Sequence, residues 1–104
     1  MYIERNEFQL KFGGAKEALP MWKEYLSRVC SRDKNIHCRL LTDVSGPGYL
    51  IILEIEYATF TEAQPSQCRL THQEDWREFY SKFIPHCESS RRTYYKLHTF
   101  YPSS

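Results

Sequence analysis

The same order of secondary-structure signals occurs twice along this chain of 104 residues. A strand, an aromatic-striped helix and a second strand are predicted from Tyr2 to about Val44, and the same succession is predicted from Tyr49 to about Phe100. Two right-handed β-α-β units in this order most economically form one four-stranded antiparallel sheet with both helices on one face. We therefore predict a single α+β domain over residues 1–104, with the ferredoxin-like order βαββαβ and the strand order 4-1-3-2.

The first unit follows from hydrophobic periodicity. A strand is predicted from Tyr2 to Phe12, in which Phe8, Leu10 and Phe12 share one face. Two glycines follow and allow the backbone to turn into a helix. That helix is predicted from Ala15 to Cys30, and a second strand from His37 to Val44. The helix carries its apolar residues on one stripe, which comprises Ala15, Ala18, Trp22, Tyr25 and Val29.

The second unit begins with a strand from Tyr49 to Tyr57, which forms a predicted hairpin with the preceding strand through residues 45–48. Residues 58–70 form a long connection of the kind that is often a lid or disordered. Thr71 and Glu74 have the spacing of a capping box, so a helix is predicted from there to Pro85. A last strand is predicted from Arg91 to Phe100. The second helix has an aromatic stripe formed by Trp76, Phe79, Tyr80 and Phe83.

The composition argues against several classes of protein. A net charge of +1 offers no electrostatic footprint for nucleic acid or an acidic membrane surface. No apolar run approaches the roughly 20 residues of a membrane span. The N-terminal residues do not have the pattern of a signal peptide, which favours a cytoplasmic protein. In that compartment we expect the cysteines, Cys30, Cys38, Cys68 and Cys87, to be free thiols.

The face of the predicted sheet that the helices leave uncovered is half apolar and half charged. We assign to it Leu50 and Ile52 together with a set of charged residues, which are Arg5, Glu7, Glu54 and Arg92. A surface of this kind is suited to a homodimer contact. The alternative is a solvated face on which apolar residues are scattered.

Two blocks of sequence resemble a known family. The strand-Gly-Gly-helix segment from Phe8 to Leu26, and the segment from Trp76 to Pro85 that is followed by residues 88–95, resemble NIPSNAP-type members of the dimeric α+β barrel superfamily. That superfamily includes antibiotic-biosynthesis monooxygenases, haem-degrading enzymes and members without an assigned activity. The resemblance implies a homodimer whose two sheets face each other, and a cleft between the sheet and the helices of each protomer.

We predict that this cleft is lined by Trp22, Phe79 and Tyr94 and that it binds a small apolar or aromatic molecule. Haem-degrading members of the superfamily use an Asn on the first strand and a Trp and a His in the second half of the chain. Asn6, Trp76 and His86 occur in that order here, so they are candidate catalytic residues with haem as a possible cofactor. Against haem, Pro85 is expected to end the helix before His86 and to turn its imidazole away.

Other patterns indicate little chemistry. The three Cys–His pairs, at residues 37–38, 68–72 and 86–87, are too scattered for a zinc site, and we predict no metal. Polar groups at Arg39, Asp43, Tyr94 and His98 could serve a cofactor-free oxygenase. The leading hypothesis is therefore a small homodimeric binding or accessory protein without a cofactor. Its alternatives are a monooxygenase, either cofactor-independent or haem-degrading, and a module that only dimerises.

Overall fold

The sheet of this protein is antiparallel throughout and has the strand order β2-β3-β1-β4. The computed structural model describes residues 1–46, 48–99 and 101–102. The elements are β1 (Tyr2–Leu10), α1 (Ala15–Arg32), β2 (His37–Thr42), β3 (Leu50–Tyr57), α2 (Trp76–Phe83) and β4 (Cys87–Lys96). A short 3-10 turn at Thr61–Ala63 lies between β3 and α2, and a second one at Ile84–His86 directly follows α2. This architecture confirms the predicted ferredoxin-like α+β fold and strand order.

The core lies between α1, α2 and one face of the sheet. Trp22 is completely buried on α1, and its ring centroid lies 4.7 Å from that of Phe79 and 5.1 Å from that of Phe83. Phe8 on β1 packs edge-on against Phe83 at 4.9 Å. Helix α1 therefore buries its predicted stripe against both α2 and the sheet. No described helix is long and apolar enough to cross a lipid bilayer.

The first strand ends earlier than predicted. β1 stops at Leu10, where its register with β4 shifts, and Phe12 beyond it is exposed. Backbone hydrogen bonds explain the end of the strand, because the Lys11 amide donates to the His86 carbonyl and the Gly14 amide turns back to the Lys11 carbonyl. Gly13 has a positive φ of 77° in this turn, a conformation that glycine adopts without steric cost.

The second helix begins later than the capping-box pattern predicted. Thr71 donates its hydroxyl hydrogen bond to the Cys68 carbonyl, and α2 begins at Trp76 with Asp75 as its N-cap residue. The Trp76 amide donates to the Gln73 carbonyl, which is a turn contact and replaces the bond to His72 that a helix from Thr71 would contain. The predicted end was confirmed, because α2 stops at Phe83 and Pro85 lies in the 3-10 turn that follows.

Residues 58–70 are packed against the domain along part of their length. Ala63, Cys68 and Leu70 are buried, and the Tyr25 hydroxyl donates to the Leu70 carbonyl at 3.2 Å. The predicted hairpin between β2 and β3 is present, but β2 already ends at Thr42 and β3 begins at Leu50; Pro47 between them lies outside the described residues. The buried residues of segment 58–70 and the Tyr25–Leu70 hydrogen bond hold the long connection over one end of the sheet.

The last strand corrects one assignment of a residue to a sheet face. β4 runs from Cys87 to Lys96 instead of from Arg91 to Phe100, and Phe100 lies outside the described residues. Arg92 pairs with Asn6 of β1, whose side chain is on the helix-covered face. Directly paired residues of antiparallel strands project to the same side. The assignment of Arg92 to the uncovered face was therefore wrong.

Candidate functional site

Two polar side chains are buried on the face of the sheet that the helices cover. Glu4 is 6% exposed and Asn6 is 7% exposed, on the same face of β1 as the core residue Phe8. A buried carboxylate is unfavourable unless partners compensate for its lost hydration. The hydrogen-bond partners of Glu4 and Asn6 therefore show which groups form a site with them.

A continuous set of hydrogen bonds connects these side chains to β4. The Asn6 amide donates to Glu4 Oε2 at 2.7 Å, and Arg92 Nε donates to Asn6 Oδ1 at 3.0 Å. Arg92 Nε also lies 3.7 Å from Glu4 Oε2. Burial by itself lowers the pKa of Arg92, but the Glu4 carboxylate, Tyr94 and Tyr80 together outweigh this effect, so the pKa is raised and the guanidinium remains charged.

The other oxygen of Glu4 contacts β3 and the long connection. The Tyr57 hydroxyl donates to Glu4 Oε1 at 3.2 Å and lies 3.1 Å from Cys68 Sγ. Burial raises the pKa of Tyr57, and Cys68 and Glu4 raise it further, so the phenol stays protonated as a donor. We call the residues of this connected set the polar array. Its members are Glu4, Asn6, Tyr57, Cys68 and Arg92.

Aromatic rings border the polar array near the ends of β1 and β4. The ring of Phe60, from the long connection, lies 5.6 Å from that of Tyr2 and 5.4 Å from that of Tyr94. The Arg92 side chain is 53% exposed, so part of its guanidinium faces solvent beside these rings. The array therefore has an open end at Arg92 and a buried end at Tyr57.

A cavity of about 340 Å³ lies at the buried end of the array, between the end of β3 and residues 58–70. Tyr57 belongs to both the array and the wall of this cavity. Apolar residues such as Ile36, Ile55 and Leu70 line it together with polar ones such as Arg69. Its volume is at the lower end of the range of small-molecule sites.

The residues predicted to line a common cleft are not brought together in the way that was expected. Trp22 and Phe79 are in the core, where their rings contact each other, and neither lines the cavity at Tyr57. Tyr94 is exposed at the rim of the array against Phe60. The aromatic stripe of each helix is thus used for packing, which is the simpler role of such stripes.

The three candidate haem residues occupy different environments. Asn6 is engaged on both sides of its amide, and Trp76 is half-buried with its ring stacked on Tyr80 at 4.8 Å. His86 lies in the 3-10 turn after α2, where its Nε2 is 3.8 Å from Glu17 Oε2 of α1. The imidazole is therefore directed at α1, and these residues do not fit an axial ligand and its pocket.

The remaining polar candidates have structural contacts of their own. Arg39 donates to Glu54 Oε1 at 2.5 Å on the uncovered face, and Asp43 accepts hydrogen bonds from the Gly48 and Leu50 amides in the hairpin. His98 follows β4 and belongs to no regular element. Within residues 1–46, 48–99 and 101–102, no cluster of three or more His, Cys, Asp or Glu side chains could hold a metal ion.

Glu4, Tyr57 and Cys68 were not predicted to be members of a binding or catalytic site. A signal for Glu4 was present, because it alternates in phase with Phe8 and Leu10 and so had to be on the apolar face. A charged residue that alternates in phase with core residues indicates a binding or catalytic site. No comparable local signal marked Cys68, which enters the array only because the long connection folds back over β3.

The fold of this chain is similar to that of several proteins of known structure. No protein-family model and no curated protein matches the sequence. Among solved structures, a NIPSNAP domain protein from Burkholderia xenovorans is similar over 99% of this chain and 100% of its own, with 17% identity and a TM-score of 0.79. A NIPSNAP family protein from Agrobacterium tumefaciens is similar over 97% of this chain and 96% of its own, with 19% identity and a TM-score of 0.78.

A third similar structure is SnoaB, a cofactor-independent oxygenase from Streptomyces nogalater. It covers 98% of this chain and 97% of its own, with 10% identity and a TM-score of 0.72. The TM-scores establish the fold, whereas identities this low leave the activity open. The predicted resemblance is confirmed at the level of structure: this chain has the α+β fold of NIPSNAP-domain proteins and of their oxygenase-like structural neighbours.

Proposed function

We propose that this protein binds a small aromatic molecule with an acidic oxygen at the open end of the polar array. The observation that carries the proposal is the burial of Glu4 and Asn6 on the core face in contact with the half-exposed Arg92. A buried charged group reduces stability unless it is paired, and such groups are concentrated at binding and catalytic sites.

The chemistry of the open end determines the class of ligand. The Arg92 guanidinium offers N–H donors to a carboxylate or phenolate oxygen, while Phe60 and Tyr94 offer ring faces and edges beside it. The Glu4 carboxylate would repel a second anionic group of a ligand that reached deeper into the array. The ligand should therefore carry one anionic group for Arg92, next to its aromatic ring, and no further anion beside Glu4.

Salicylate is a suitable probe, since its carboxylate is the one ionised group beside the aromatic ring and its phenol stays protonated at neutral pH. We expect titration followed by ¹⁵N–¹H correlation spectra to shift the amide signals of Glu4, Asn6 and Arg92. Arg92→Ala should weaken salicylate binding by about tenfold or more, because a charge-assisted hydrogen bond contributes on the order of 1.5–3 kcal/mol.

Arg77→Ala is the matched control, because Arg77 is an exposed arginine of α2 outside the array. It should leave salicylate binding unchanged. Equal weakening by Arg77→Ala and Arg92→Ala, or salicylate-induced shifts that bypass the array, would contradict the proposed site.

One observation favours a second candidate, a cofactor-independent monooxygenase. The Glu4 carboxylate and the Arg92 guanidinium are 3.7 Å apart. A base for a substrate proton therefore lies beside a cation that would stabilise the resulting substrate anion. Incubation with electron-rich hydroquinones should then consume oxygen faster than the same substrates do alone. Glu4→Gln should abolish the excess oxygen uptake, and an unchanged rate in that variant would exclude Glu4 as the base.

We also propose that the protein is a homodimer through the face of the sheet that the helices leave uncovered. The open face is formed by odd-numbered residues of β1 with their partners on the neighbouring strands: Ile3, Arg5, Glu7, Gln9, His37, Arg39, Leu41, Leu50, Ile52, Glu54, Glu56, Ser89, Arg91, Thr93 and Tyr95. Of the residues predicted for this contact, all but Arg92 lie on this face. The exposed side chains of Leu41 and Tyr95 on this face support the proposal, because a twin molecule would bury their apolar surface.

A further inference from the structure

Two cysteines that are separated along the chain have adjacent sulfur atoms. Cys30 lies near the C-terminal end of α1, and Cys38 lies on the edge strand β2. Their Sγ atoms are 3.8 Å apart, and both side chains are only partly buried. Cys38 pairs with Ile55 of β3, whose side chain is in the core, so it projects to the helix side and not to the open face.

The other two cysteines have different surroundings. Cys68 is buried in the polar array, where its sulfur contacts the Tyr57 hydroxyl. Cys87 begins β4, and burial raises the pKa of its thiol to about 11. Cys30 and Cys38 therefore differ from both in having another thiol as the direct neighbour.

We propose that Cys30 and Cys38 form a reversible intramolecular disulfide when the protein meets a peroxide. The required movement is small, because the sulfur atoms need to approach from van der Waals contact to a covalent bond length of about 2.05 Å. The end of α1 and the edge strand β2 carry these cysteines at the two ends of a short connection, and such positions adjust more easily than the core.

The chemistry is balanced with the peroxide as the oxidant. The Cys30 sulfur attacks one peroxide oxygen, which forms a sulfenic acid and releases the other oxygen as water. The Cys38 sulfur then attacks the sulfenic sulfur, and the hydroxyl group leaves as a second water with the Cys38 proton. Burial, and then the neighbouring Cys30, raise the pKa of Cys38 to about 12, so little of Cys38 is the thiolate that attacks a peroxide, and the first attack is assigned to Cys30.

A disulfide here would tie the connection between α1 and β2 to the body of the domain. Asn35 and Ile36 lie within this connection and His37 begins β2, and all three form part of the wall of the cavity near Tyr57. Oxidation would therefore restrict one wall of that cavity. The disulfide itself does not depend on the proposed ligand, and it is tested without one.

The test is treatment of the folded protein with a small excess of hydrogen peroxide, followed by thiol titration under denaturing conditions and peptide mapping. The thiol count should fall from four to two, with one linked peptide pair that contains Cys30 and Cys38 and an unchanged monomer mass apart from about 2 Da. Dithiothreitol should restore all four thiols.

Cys87→Ser is the matched control and should still lose two thiols, whereas Cys30→Ser should lose none to a disulfide. The mapping of the natural chain does not depend on the folding of either variant. A count that stays at four, a disulfide that joins two chains, or sulfinic acid at Cys87 with Cys30 and Cys38 intact would overturn the proposal.

Discussion

At the scale of single residues, the two tryptophans contact each other but differ in burial. Trp22 is fully buried among five aromatic rings, while Trp76 is half-buried at the start of α2. We expect Trp22→Ala to lower the free energy of unfolding by about 3–5 kcal/mol, because it leaves a large cavity. Trp76→Ala should lower it by about 1–3 kcal/mol, since solvent can reach part of the vacated space. Urea denaturation followed by circular dichroism measures both values.

Phe12→Ala serves as the control for these two substitutions. Phe12 is a large aromatic residue that is exposed after the end of β1, so its removal should change stability by less than about 0.5 kcal/mol. A larger loss for Trp76→Ala than for Trp22→Ala would show that the core is centred nearer to α2 than the structure indicates.

At the scale of elements, Asp75 connects the start of α2 to the end of α1. Its carboxylate accepts hydrogen bonds from Arg28 Nε and Arg32, each at 2.9 Å. Burial alone would raise the pKa of Asp75, but these two hydrogen bonds, a backbone hydrogen bond and the charge of Arg32 together outweigh it, so the pKa is lowered. A lowered folded-state pKa stabilises the fold above the unfolded value of about 3.9, and this stabilisation is lost as the pH falls through the folded-state value.

We therefore expect the Tm to fall as the pH is lowered from about 5 to 2, and Asp75→Asn to make this fall shallower. Thermal unfolding at a series of pH values measures the slope. Glu74→Gln is the control at the adjacent, exposed position and should keep the slope of the natural chain. An Asp75→Asn profile parallel to that of the natural chain would remove this carboxylate from the acid transition.

At the scale of the whole molecule, the open face should determine the association state. Leu41 is 37% exposed and pairs with Ile52 across β2 and β3 on this face. Leu41→Glu would place an unpaired charge in the contact, so we expect it to weaken the proposed dimer by about 100-fold. Sedimentation velocity or light scattering at micromolar concentration measures the fraction of dimer.

Val44→Glu adds the same charge at an exposed position outside the strands and should leave the dimer intact. Two results would contradict the proposed dimer. One is a natural chain that is monomeric at micromolar concentration, and the other is an equal effect of the two substitutions.

Much of the fold followed from the sequence alone. The period-two alternation around Phe8, the helical stripe around Trp22 and the doubled order of elements together predicted the sheet, its strand order and the helix-covered side. These are local signals, because the burial of one face imposes a repeat on neighbouring residues. The break at Pro85 was predictable for the same reason, since its effect on the backbone is local.

The register of β4 and the position of the long connection were decided only by the tertiary structure. Arg92 meets Asn6 across a separation of 86 residues, and no local pattern determines which residues of distant strands pair. Cys68 contacts Tyr57 because the connection folds back onto β3, and the sulfur atoms of Cys30 on α1 and Cys38 on β2 lie 3.8 Å apart. The sequence by itself determined which faces are apolar, whereas long-range packing decided which polar groups meet on them.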